Sequence, residues 1–239
     1  MSGDSVLEND GWCPICEAPA HFVARESWLR AHYRCEGCHS VPRHRALMLS
    51  LQERFPDWRE LRIHESSPAG PLSKKLDREC AAYLPTHYWP DVRPGDIHEG
   101  VRCENLERQT FGDEVFDLVV TQDVMEHVLD PWAAYREIAR TLRPGGAHVF
   151  TTPIYKNLGR SRPRARHGAN GAIEYLEEAE YHMNPIDSEG SLVTIDYGQD
   201  IGELIMSHAG TPTTIYRTID QSRGLLAEFL EVLVSVKIG

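Results

Sequence analysis

Cys13-Pro14-Ile15-Cys16 and Cys35-Glu36-Gly37-Cys38, separated by eighteen residues, place four of the chain's six cysteines within its first forty positions. A CxxC turn lets two thiolates converge on one ion, and two such turns supply the four soft ligands of a zinc tetrahedron. The spacing predicts a zinc ribbon over residues 1–40, with short strands such as His21-Phe22-Val23 between the knuckles. Two disulfides are the competing reading. No secretory apolar segment follows Met1, which points to a cytoplasmic chain whose thiols stay reduced. His39 or His44 could replace one thiolate, but Cys13, Cys16, Cys35 and Cys38 already complete the set. Four thiolates leave no open coordination position, so the expected zinc is structural and not catalytic.

At 239 residues the chain has room for this module and one ordinary domain, here residues 41–239. No apolar run is long enough to cross a bilayer, so no membrane partner is expected. A formal net charge of −11 argues against a general nucleic-acid or anionic-membrane binder. Arg25, Arg30, Arg34, Arg43 and Arg45 nevertheless make the ribbon region locally basic, which keeps an RNA-directed reading in view. The isolated Cys80 and Cys103 read as small buried hydrophobes.

Beyond the ribbon, strands and helices alternate. Leu47, Leu51 and Phe55 recur every four positions and predict a helix from Val41. Strands are expected at 61–65 and 80–84, with a helix over 71–79 between them. Phe116-Asp-Leu-Val-Val-Thr121 is a buried strand by its run of β-formers. Asp130 suits an N-cap and Pro131 a first helical position, and Pro144-Gly145-Gly146 stops that helix. A strand over 147–152, a helix over 200–209 and strands over 213–219 and 229–238 complete an open α/β sheet wound on both sides. Lys156 to His167 carries five basic residues and no acid after a strand's carboxyl end. A solvated loop is the favoured reading, and a cationic lid over a phosphate or carboxylate the sharper one.

The run Phe116-Asp-Leu-Val-Val-Thr-Gln-Asp-Val-Met-Glu-His-Val-Leu-Asp-Pro131, with Leu142-Arg-Pro-Gly-Gly146 and Val149-Phe-Thr-Thr-Pro153, resembles class I S-adenosylmethionine-dependent methyltransferases. With weaker matches the resemblance covers about residues 59–238. Bacterial members with an amino-terminal zinc ribbon, often tied to sugar or natural-product pathways, are similar overall. The resemblance implies a Rossmann-like seven-stranded sheet with the last strand antiparallel, and S-adenosylmethionine at the carboxyl ends of the first four strands. By this likeness Glu65 is the acid ending the first strand, and Ser66-Ser67-Pro68-Ala69-Gly70 is the cofactor turn, with one glycine where the family has two or three. No carboxylate ends the second strand. His87 takes the ribose role, or Tyr88 covers the ribose, or His87 is only a loop residue. Asn105, beside Leu106, stands where the family places its adenine acid, and Gln122 and Asp123 belong near the methionine end.

Methyl transfer needs a nucleophile aligned with the sulfonium methyl and sometimes a base near neutral pKa. His127 is one candidate base, although a packing or capping role is common for it in related folds. His182, in Tyr181-His182-Met183-Asn184-Pro185, is the other. This stretch and Asp196-Tyr197-Gly198 resemble patterns of the zinc-ribbon group, in an insert that suits a polar small-molecule substrate. The leading expectation is therefore methyl transfer to an oxygen or nitrogen of a small molecule. A catalytically silent scaffold and an RNA methyltransferase are the alternatives.

Overall fold

The computed structural model describes residues 5–182 and 190–239. Strands β1 (Leu7–Cys13) and β2 (Ala18–Ala24) form a hairpin whose turn is the first CxxC knuckle. A single turn, α1 (Leu29–His32), leads to β3 (Arg34–Cys35), which pairs with β2 and delivers the second knuckle. Then follow α2 (Pro42–Arg54), β4 (Ile63–Ser66), α3 (Gly70–Glu79), β5 (Tyr83–His87), β6 (Ile97–His98), β7 (Val101–Cys103), β8 (Phe116–Gln122), α4 (Pro131–Thr141) and β9 (Leu142–Thr151).

An insert after β9 holds three short antiparallel ladders. These pair β10 (Arg162–Pro163) with β15 (Ile195–Asp196), β11 (Ala165–His167) with β12 (Ile173–Tyr175), and β13 (Tyr181–His182) with β14 (Ser191–Leu192). The chain ends with α5 (Ile201–Ala209), β16 (Thr213–Tyr216) and β17 (Val232–Val236). Met183, Asn184 and Pro185 of the expected insert motif lie outside the described residues.

The main sheet runs β16-β17-β9-β8-β4-β5-β7-β6. The pairs from β9 across to β7 are parallel, while β17 is antiparallel to both β9 and β16. The expected seven strands are present in a Rossmann-like order. The eighth, β6, is a two-residue strand folded back on β7 at the edge.

Strand alternation explains the two-sided core. Leu118 and Val120 of β8, Ala147 and Val149 of β9, and Val232 and Val234 of β17 face α2 and α3. Val119, Phe150 and Leu233 face α4 and α5. Asp130 caps α4 as expected, its carboxylate accepting the Ala133 N–H at 2.9 Å.

The last two strands are shorter than expected, ending at Tyr216 and starting at Val232, and two further boundaries shift for clear reasons. The second strand begins at Tyr83, because Cys80 closes α3 by donating its backbone N–H to Leu76. Pro85 is tolerated in it since β7 pairs only with Thr86 and His87, leaving the outer edge at Pro85 without a partner. The strand expected from 147 starts at Leu142, with Pro144, Gly145 and Gly146 carried inside it.

The ribbon shares the core of the sheet domain. Cys13, Ile15, Phe22, Tyr33 and Cys35 pack in one cluster with Leu47, Trp58 and Val234. Fully buried Arg45 of α2 ties the parts together by donating to the backbone carbonyls of Tyr33, Ser40 and Gly224.

Candidate active site

A cleft of about 1000 Å³ opens across the carboxyl ends of β4, β5, β7 and β8, at the point where the strand order reverses. Ser66, Ser67 and Ala69 line it from the turn after β4, and His87 and Tyr88 from the end of β5. Asn105 and Leu106 line it after β7, and Gln122 and Asp123 after β8. Most of the residues expected at the cofactor therefore meet in one space.

Two do not line it. Glu65 is fully buried beneath the turn, where one oxygen accepts from Ser73 Oγ at 2.9 Å and Gln122 Nε2 at 2.5 Å, and the other from Tyr83 OH at 2.6 Å. Burial pushes its carboxyl up to about 7, against those three hydrogen bonds. Gly70 opens α3 at φ +84°, and a Cβ there would lie 2.7 Å from His44 Cε1. This position therefore requires glycine twice over, for conformation and for space. Ser67 holds φ +54°, a left-handed conformation adopted here without glycine. Its N–H donates to Thr86 O at 2.7 Å.

Asn105 Oδ1 accepts the Glu107 N–H at 2.8 Å. His87 Nδ1 is buried without a hydrogen-bond partner, and its ring meets Trp89 edge-on. At the opposite end Asp123, at φ +52°, accepts both guanidinium nitrogens of Arg30 at 2.9 Å and faces Arg43 Nε at 3.1 Å. Burial would raise the Asp123 carboxyl, but Arg30 and then Arg43 outweigh it and hold the group well below the ordinary carboxylate range. Of the five arginines around the ribbon, Arg30 and Arg43 are thus paired with Asp123, and buried Arg45 is held by the Gly224 carbonyl.

Past Asp123, a short turn sets Glu126 and His127 at the mouth of the cleft. His127 Nδ1 lies 2.9 Å from Leu192 O, so Nδ1 carries the proton and donates it, leaving the Nε2 lone pair free. Burial keeps the ring below its ordinary pKa and hence neutral. His182, on β13, meets His127 edge-on with ring centroids 5.2 Å apart. Sequence reasoning named both histidines but not Trp28, Tyr155 and Phe229, which build an aromatic wall from three separate loops. Loop positions carry no periodicity that would mark them.

Three of the insert's five basic residues, and His167, meet acidic partners nearby. Arg162 and Arg164 share buried Asp196, Arg166 pairs with Glu174, and His167 lies 2.6 Å from Glu107. A cationic lid is thereby overturned for these side chains. Tyr197, fully buried, donates to Met125 O at 3.2 Å and braces the turn that carries Glu126.

At the ribbon, Cys13 and Cys38 sulfurs are 3.7 Å apart and those of Cys16 and Cys35 3.8 Å. Four thiolates at about 2.3 Å from a zinc ion would be about 3.8 Å apart, so the set fits a tetrahedral metal. All six cysteines are free thiols.

A parallel sheet with this order, its penultimate position filled by an antiparallel last strand, and a cleft over four strand ends define the class I methyltransferase fold. Residues 69–150 match the family described as "Methyltransferase domain". A ubiquinone biosynthesis O-methyltransferase from Parvibaculum lavamentivorans is 39% identical over 51 residues, 21% of this chain and 20% of the relative. A demethylmenaquinone methyltransferase from Mycolicibacterium paratuberculosis is 38% identical over 86 residues, 30% of this chain and 37% of the relative. The matches thus span between a fifth and about two fifths of these relatives' length. Among solved structures, CalS10, an amino pentose methyltransferase from Micromonospora echinaspora, superposes with TM-score 0.50 at 12% identity, covering 82% of this chain and 91% of that one. The YcgJ protein of Bacillus subtilis gives TM-score 0.50 at 12% identity over 82% and 99%. At that identity the likeness is one of fold.

Proposed function

We propose that the chain is an enzyme that transfers the methyl group of S-adenosylmethionine to an oxygen or nitrogen of a small molecule. The observation that carries this is the meeting of Ser66, Ser67, His87, Asn105, Leu106, Gln122 and Asp123 on one cleft that also holds His127 and His182. Ser66 and Ser67 would cradle the cofactor, with Gly70 and Glu65 fixing the turn from behind. His87 would serve the ribose. Asn105 Oδ1 keeps one lone pair for the adenine amino group, with Leu106 under the ring. Gln122 and Asp123 would border the methionine end.

The sulfonium supplies an electrophilic methyl group when the cofactor is bound. The protein's part is to align the acceptor and exclude water. Trp28, Tyr155 and Phe229 offer an apolar wall for a small organic acceptor, and His127 and His182, which line the same cleft, would face the nucleophile as catalytic residues. We further propose that Cys13, Cys16, Cys35 and Cys38 hold a structural zinc ion, which requires reduced thiols and so a cytoplasmic setting. Incubation with methyl-labelled S-adenosylmethionine and size-fractionated cell extract tests the reading. Label should enter the low-molecular-weight fraction. Label confined to RNA or protein, or no transfer at all, would overturn it.

A further inference from the structure

Three donor groups cluster at the mouth of the cleft in a way methyl transfer alone does not require. Glu126, His127 and His182 each present a ligand atom within 4.8 Å of the others. Glu126 is 2% exposed, and the two ends of its carboxylate differ. Oε2 accepts from Thr152 Oγ1 at 2.9 Å, while Oε1 is buried without a hydrogen-bond partner and lies 3.9 Å from His127 Nε2. The nearby guanidinium groups of Arg30 and Arg43 are paired with Asp123. A buried carboxylate oxygen left without a partner is costly, and a cation is the group that would satisfy it.

The histidine beside it is already oriented as a ligand. His127 donates from Nδ1 to Leu192 O, the backbone-carbonyl arrangement that fixes a metal-binding imidazole's tautomer and leaves Nε2 to the ion. His182 comes from the insert, on a strand of two residues, with its side chain 36% exposed and Glu180 Oε1 3.6 Å from its Nε2. Drawing three donors to about 2.1 Å from one ion requires closing the present gaps by about an ångström, within reach of His182's side-chain torsions.

We propose that Glu126, His127 and His182 form a site for a divalent first-row cation at the acceptor end of the cleft. Two imidazoles and one carboxylate suit manganese, iron(II), cobalt or zinc, and three protein ligands leave positions open. An acceptor with two adjacent oxygens would fill those positions and be held between the ion and the aromatic wall. This deepens the methyl-transfer reading and rests on it for the acceptor. In it the histidines act through the cation and not as free bases.

The test uses full-length protein with its cysteine site loaded with zinc. Manganese(II) is titrated in and followed by electron paramagnetic resonance, with pulsed detection of nitrogen coupling from bound imidazole. S-adenosylmethionine binding is measured by calorimetry on the same sample. The expected result is one bound manganese per chain with imidazole nitrogen coupling, weakened at least tenfold in His182→Ala and in Glu126→Gln. His182→Ala alters a half-exposed side chain, so it stays informative if the buried Glu126 variant fails to fold. No binding up to millimolar manganese, or unchanged binding in His182→Ala, overturns the site. Cofactor binding without manganese binding would sink the cation alone, and manganese binding without cofactor binding would sink methyl transfer alone.

Discussion

Arg30 of the ribbon grips Asp123, ninety-three residues away, with both guanidinium nitrogens at 2.9 Å, and so clamps the loop that leaves the central strand β8. Thr151 Oγ1 and Arg43 complete the cage around the same carboxylate. The amino-terminal ribbon is thereby part of the cleft wall, with Trp28 and Arg30 both lining it. Arg30→Ala should cost about 2 kcal/mol of stability, less than the ~3–5 of a fully broken buried pair because Arg43 remains. It should also weaken S-adenosylmethionine binding, read by calorimetry beside a urea titration. Unchanged affinity would separate the ribbon from the site.

The same coupling governs zinc. Elemental analysis should find one zinc per chain, and Cys35→Ser with Cys38→Ser should abolish it. A loss of about 5 kcal/mol would lower Tm by roughly 10–20 °C in a chain of this size. Because the ribbon carries Arg30, cofactor affinity should fall with the metal. A closed four-thiolate site alone implies damage to stability more than to chemistry, so retention of full affinity in the zinc-free protein would contradict the shared wall.

Glu65 sets a pH dependence of folding. Its carboxyl is raised from 4.5 in the unfolded chain to about 7 in the fold, so the native state binds the extra proton between those values. The stability contributed by this group is complete below about pH 4.5, declines as pH rises through about 7, and then levels off. The change amounts to about 3 kcal/mol. Urea midpoints measured from pH 4.5 to 8 should show this decline in the native protein and a flatter profile in Glu65→Gln. Parallel profiles would show that the three hydrogen bonds offset the burial.

Gly70→Ala imposes a left-handed alanine and a contact with His44 together. A loss of about 2–4 kcal/mol follows, with weaker cofactor binding. Adding His44→Ala should recover the steric part only. Full recovery in the double variant would mean that φ carries no cost there.

Much of this was legible in the sequence because it rests on local pattern. The CxxC spacing, the β-former run of β8 and the Asp130-Pro131 start of α4 each specify their own geometry. The residues that line the cleft after β4, β5, β7 and β8 followed from their order around β8. What escaped depends on distant contacts. The edge strands β6 and β7 have two and three residues, too short for any periodicity to show. Glu65 reads as a cofactor contact, yet Tyr83, Ser73 and Gln122 converge on it only once β4, α3, β5 and β8 assemble. Arg30 and Arg43 look like part of a nucleic-acid patch until Asp123 is folded against them. Phe229 meets Trp28 and Tyr155 only in the tertiary structure.

The central claim is that the cleft over β4, β5, β7 and β8 holds S-adenosylmethionine, and calorimetric titration of the zinc-loaded protein tests it most directly. The account predicts one site per chain with a dissociation constant between about 1 μM and 1 mM, the span within which enzymes ordinarily bind their substrates. His87→Ala and Asn105→Ala should each weaken it at least severalfold. Absence of binding heat up to millimolar cofactor, or binding untouched by both substitutions, would contradict the account.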